Sequence, residues 1–181
     1  MARLRPALAL AAIAICLLIL CAAASAATAC TGAGARPTTA NAARVQQATL
    51  CLLNRQRAAH GLAPLRRQRS LGHAARAYAR LMVTHRFFDH VSPGGSTMAQ
   101  RIERTRYLRG VRGWSLGENL AWGAGRAATP ASIVRAWMRS PGHRRNILDG
   151  TFREIGIGIV PGSPTGTPAG ATYVNEFGRR S

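Results

Sequence analysis

The order of hydrophobic periods most constrains what this chain can fold into: helical spacing runs through most of its length, and strict alternation appears only at the end. From Asn41 to about Ala59, Val45, Ala48, Cys51 and Leu52 form a 3.6-residue stripe, with Arg44, Gln47, Arg55 and Arg57 mostly off it. Gly61 stops this helix and Pro64 prevents a restart. A second helix is expected from about Arg69 to His85, where Leu71, Ala74, Ala75, Tyr78, Leu81 and Met82 recur at three- and four-residue steps. Ser96 is the expected N-cap of a short helix through Met98, Ile102 and Tyr107. Thr129-Pro130 and Ser140-Pro141 are two further start signals, since proline suits the first helical position. The first opens a helix with Ile133, Val134, Trp137 and Met138 on one face; the second opens a shorter one carrying His143, Ile147 and Leu148. Ile155, Ile157 and Ile159 then alternate with small residues, and Ala171 to Gly178 holds Tyr173, Val174 and Phe177, so the two stretches read as a hairpin across a polar loop. Gly110 to Gly125, with its five glycines, reads as mostly loop or a short extended piece. Helices first and strands last predict an α+β domain, its helices packed around a small antiparallel sheet.

The N-terminus speaks to compartment. Arg3 and Arg5 precede an unbroken apolar run from Ala7 to Leu20, and Ala24-Ser25-Ala26 supplies the small residues that a signal peptidase reads. Residues 1–26 are therefore expected to be a secretory signal, with a retained anchor or lipidation at Cys30 as alternatives. Residues 27–40 read as a flexible linker and residues 41–181 as one domain, long enough to bury a core. Cleavage after Ala26 leaves Cys30 and Cys51, and outside the cytoplasm a pair suggests a disulfide. The other reading is a buried free thiol at Cys51, with Cys30 unpaired or lipidated.

Charge is one-sided. Twenty-five basic residues, all arginine, face six acids for a formal +19. Such a field draws a protein towards anionic envelope polymers or a membrane surface. The arginines are spread along the chain without interleaved aromatics, which speaks against a specific nucleic-acid function. A monomer is expected.

Three segments hold histidine, glutamate and glycine in ways a packed core does not require: FFDHVSP around His90, GENLAW around Glu118, and WMRSPGH ending at His143. Each ligand-type residue sits at an element edge or a glycine-flanked turn, where functional side chains are commonly presented. Two imidazoles and a carboxylate form a standard ligand set for zinc with one position open. No His-Glu-x-x-His spacing is present, so residue type alone is weak evidence. Ser140 reads as an N-cap and not a nucleophile, because no Gly-x-Ser-x-Gly turn surrounds it. His60, His73 and His85 read as solvated or locally bonded, and Trp114, Trp122 and Trp137 as core or cleft-wall residues.

In order and spacing, FFDHVSP, GENLAWG, AWMRSPGHRRNIL and the following IGIG resemble the signature of the CAP superfamily (cysteine-rich secretory proteins, antigen 5 and pathogenesis-related 1 proteins), above all its short bacterial secreted branch. The likeness covers about Val45 to Gly178. It implies a three-layer α-β-α sandwich with a central cleft carrying two histidines and two glutamates that often hold a divalent metal. Carried over by motif, His90, Glu118 and His143 are the metal residues and zinc the implied cofactor. Ser140 stands at the fourth position, where the family has glutamate. The implied function is an envelope-associated binding module with an unidentified ligand in its cleft. The other implied functions are a metal-dependent hydrolase of peptide or cell-wall polymer, and a lipid- or sterol-binding module.

Overall fold

The structure, a computed structural model, describes residues 29–181. The expected signal over residues 1–26 lies outside them. Helix α1 (Ala42–Ala58) packs the Val45, Ala48 and Leu53 stripe inward and ends at Gly61, whose φ of 67° closes the turn. Arg57, expected off the stripe, is fully buried. Its guanidinium donates to the carbonyls of Ala63 (2.8 Å), Ile147 (2.8 Å), Asp149 (2.9 Å) and Phe152 (3.2 Å), which lets it leave water. Strand β1 is only Arg66–Arg67. Gln68 then caps helix α2 (Arg69–His85), its side chain accepting from the Leu71 N–H at 3.0 Å. Helix α3 (Met98–Glu103) is shorter than expected, and its N-cap is Thr97, not Ser96. Thr97 and Gln100 satisfy each other's N–H groups in a capping box, which a serine one residue earlier cannot reach.

The largest departure from the sequence reading is strand β2 (Trp114–Ala124), an 11-residue strand where mostly loop or a short extended piece is expected. Its glycines are not turn residues. A Cβ at Gly117 would meet the Phe152 ring at 2.9 Å, and one at Gly123 would meet the Ala127 backbone at 2.5 Å. They mark close approach within a strand. Thr129 caps helix α4 (Pro130–Arg139), and helix α5 (Pro141–Leu148) follows directly. Strands β3 (Glu154–Pro161) and β4 (Gly170–Arg180) form the expected hairpin.

The sheet order is β1-β3-β4-β2. The three long strands are antiparallel and the two-residue β1 runs parallel to β3, so the small sheet is mixed. Alternation sends Ile155, Ile157, Ile159, Tyr173 and Phe177 to one face, where they join α1, α4 and α5 through Val45, Leu53, Trp137 and Ile147. The other face is nearly bare at Gly156 and Gly158, because α2 lies there so closely that a Cβ would overlap the Leu71 and Ala75 backbones. Tyr78, Met82, Leu120 and Val174 fill the rest of that layer. Helices thus cover both faces, giving an α-β-α arrangement of the α+β class.

The segment before α1 is fastened at two points. Cys30 and Cys51 form a disulfide, and the Ala131 N–H donates to the Ala33 carbonyl at 2.9 Å. Strand β2 lies at the sheet edge, and two carbonyls in its middle are covered by side chains. Trp137 Nε1 donates to Leu120 (2.9 Å) and Asn146 Nδ2 to Glu118 (3.0 Å).

Candidate functional site

The edge position of β2 creates the site. Successive residues of a strand point to opposite faces, so Glu118 emerges towards α2 and α3 while Asn119 emerges towards α5. On the first side, His90 Nδ1–H donates to Glu118 Oε1 at 2.7 Å, and Arg101 donates to Oε2 at 2.5 Å. The glutamate is almost fully buried while the His90 side chain remains 57% exposed. Arg101, from α3, also donates to the carbonyls of His90 (3.0 Å) and Ser96 (2.9 Å). It therefore fixes the His90–Ser96 loop to the sheet, and its guanidinium lies 3.3 Å from the centre of the Tyr78 ring. Tyr78 in turn donates to the Asp89 carbonyl at 2.6 Å, and burial pushes its hydroxyl up to about 12. The hydrogen bond to Glu118, opposed by burial, raises the pKa of His90.

Directly across the ladder from Glu118 stands Glu176, on the central strand β4 and without solvent exposure. No N–H or O–H donor reaches either of its oxygens. Burial, reinforced by the Glu118 charge, holds its carboxyl well above the usual range. Such a shift disfavours a second negative charge beside Glu118, and this is how two adjacent buried carboxyls coexist.

On the other side of β2, Asn119 Nδ2 donates to the His143 carbonyl at 3.0 Å, and Asn146 donates to Asn119 Oδ1 at 2.9 Å. These bonds hold the start of α5 against the strand. Ser140 sits at the N-cap position of α5, yet its hydroxyl does not cap the helix; it pairs with His143 Nδ1 at 2.8 Å. Burial, with the nearby charge of His90, lowers the pKa of His143. The two imidazoles are thus pushed in opposite directions: His90 towards the cation, His143 towards the neutral base.

The sequence-derived residues are brought together as two pairs, His90 with Glu118 and Ser140 with His143, one on each side of the edge strand. As arranged, they are a poor fit for a divalent cation. Both Glu118 oxygens already hold donors, one of them a guanidinium, and the Ser140 hydroxyl is engaged with His143. Among the described residues, no three His, Cys, Asp or Glu side chains are disposed to hold a metal. Arg101, Tyr78, Glu176, Asn119 and Asn146 escape the sequence reading. Only Glu176 carried a signal, as an acid in the middle of an apolar strand. Trp137 is buried, Trp122 half-buried and Trp114 exposed; His60, His73 and His85 are on the surface.

The family model for the cysteine-rich secretory protein (CAP) family matches residues 50–175. The uncharacterized protein YkwD of Bacillus subtilis is 38% identical over 109 residues, which are 60% of this chain and 40% of that protein. The fold is similar to that of an extracellular SCP-domain protein from Bacillus anthracis (TM-score 0.60, 24% identity, 78% of this chain and 44% of that one). It is also similar to that of an outer surface protein from Borrelia burgdorferi (TM-score 0.59, 25% identity, 71% of this chain and 87% of that one).

Proposed function

The chain belongs to the CAP family of cysteine-rich secretory proteins, and from that premise we propose that it is an extracellular protein of the bacterial type whose cleft binds a ligand without metal chemistry. The extracellular part is supported by the Cys30–Cys51 disulfide and by similarity to an extracellular and an outer-surface protein. Among the described residues no helix is long and apolar enough to cross a membrane.

The observation that carries the binding reading is the full occupation of Glu118. A carboxylate that holds His90 on one oxygen and Arg101 on the other is a positioning group, not a free ligand or base. What it positions is an imidazole reaching into solvent beside Phe88 and Val91, which are 44% and 45% exposed. An exposed imidazole anchored on a buried carboxylate and flanked by apolar side chains suits a ligand with a polar group next to an apolar part. The metal-dependent hydrolase reading needs a cation to activate water, and the donor set here does not favour one.

Two measurements on the exported protein test this. Calorimetric titration of zinc should give equally weak heats for the wild type and for His90→Ala/His143→Ala. Incubation with peptides and cell-wall fragments should give no product that a chelator abolishes. Tight zinc binding lost in the double variant, or chelator-sensitive cleavage, would overturn the reading.

A further inference from the structure

Away from the cleft residues, the topology gathers four strand ends at one end of the sheet. Strands β1 and β3 are parallel and both begin there, β4 runs antiparallel to β3 and finishes there, and β2 runs antiparallel to β4 and starts there. Each brings arginine. Arg66 opens β1, Arg153 immediately precedes β3, Arg179 and Arg180 close β4, and Arg112 lies just before β2. These five side chains line one open cavity of about 680 Å³.

The only side-chain acid in that lining is Glu154, and it is already committed. Arg180 donates to both of its oxygens (2.9 and 3.2 Å) and Tyr107 donates to one (2.7 Å). Arg153 is turned onto the carbonyls of Gly150 and Phe152. Arg66, Arg112 and Arg179 are exposed and have no carboxylate partner among the described residues. Guanidinium groups gathered in a concavity repel one another and focus a positive potential that only an anion relieves. Their planar forks match phosphate oxygens in pairs.

We propose that this cavity is a binding site for a linear polyol-phosphate polymer, whose repeated phosphodiesters meet Arg66, Arg112 and Arg179 in turn. This assignment is independent of the cleft. Arg66 on β1, Arg179 at the end of β4 and Arg112 just before β2 stand on separate strands across the sheet, so a chain with recurring charge offers each its own phosphate. Trp114 is 49% exposed and stands across the ladder from Arg180, so one aromatic side chain is available beside the cavity for the carbon-rich segment between phosphates. One aromatic is too few for the successive base stacking by which single-stranded nucleic acid is held.

The test measures binding of fluorescent oligo(glycerol phosphate) at several salt concentrations. The variant Arg66→Gln/Arg112→Gln/Arg179→Gln is compared with Arg76→Gln/Arg80→Gln/Arg135→Gln, which removes the same charge from exposed helix surface. The cavity triple should weaken binding about tenfold or more, and should lower the slope of log affinity against log salt by about two. The control triple should change affinity less than about threefold. Arg112→Gln alone should give an intermediate loss, which guards against misfolding of the triple. Equal losses in both triples would overturn the proposal, as attraction by net charge alone predicts them. So would tighter binding of oligothymidylate or of phosphatidylglycerol vesicles than of the polymer.

Discussion

Among the described residues two arginines are buried, Arg57 and Arg101, and they are buried on opposite principles. Arg57, between α1 and α5, gives its hydrogen bonds to four backbone carbonyls. Arg101, between α3 and β2, faces a carboxylate that stands beside a second carboxyl, and its own Nε has no partner. The first knot is closed: its acceptors are permanent dipoles that no pH change removes. The second is open at His90 and left incompletely satisfied at Glu176 and Arg101 Nε. Structural polar groups are normally satisfied in full; apart from Asn175, the unsatisfied buried side-chain atoms among the described residues belong to Ser96, Arg101 and Glu176, around Glu118. The comparison separates an arginine that holds the fold from one that holds a site.

The largest effect should come from Arg57→Met, which strands four carbonyls and should lower unfolding stability by about 4 kcal/mol. Urea titrations at about pH 5 and about pH 8 should show the same loss; a marked pH dependence would break the contrast with Arg101. Next comes the disulfide that anchors the same helix. Replacing Cys30 and Cys51 with alanine removes a crosslink spanning 21 residues and should cost about 3 kcal/mol. Arg101→Met should cost about 2 kcal/mol at neutral pH, by leaving Glu118 facing Glu176 without its cation, and the loss should shrink in acid. An acid-insensitive loss would make Arg101 a purely packing residue. The smallest effect should be a gain. Glu176 has a raised folded-state pKa, so its contribution is fully present below the ordinary carboxyl range and declines as pH rises towards the raised value. Glu176→Gln should match the wild type in acid and exceed it by about 1 kcal/mol at neutral pH; equal stability across the range would show that Glu176 is not held neutral.

Much of this was legible before any coordinates. The Thr129-Pro130 start, the Gly61 stop and the isoleucine alternation in β3 act locally, within a few residues of the feature they predict. The family segments pointed to His90, Glu118 and His143, which the fold brings to the two sides of the edge strand as the pairs His90–Glu118 and Ser140–His143. What failed is non-local. The glycines of β2 look like loop because their reason for existing, the Phe152 ring and the Ala127 backbone, lies far along the chain or in the following turn. Nothing in the sequence separates Arg57 or Arg101 from the other arginines; their burial depends on which carbonyls and carboxylates the finished fold brings within reach. Ser140 was read as a helix cap because its position is that of a cap. The neighbouring imidazole took the hydroxyl instead.

The covered edge of β2 has a consequence for how this molecule behaves in a crowd. A naked edge strand recruits the strands of other molecules, growing sheets between proteins or admitting an extended peptide. Here the indole of Trp137 and the amide of Asn146 already occupy the outward acceptors at Leu120 and Glu118. Strand addition is thereby blocked at the middle of the edge, and a guest bound there must be met by side chains.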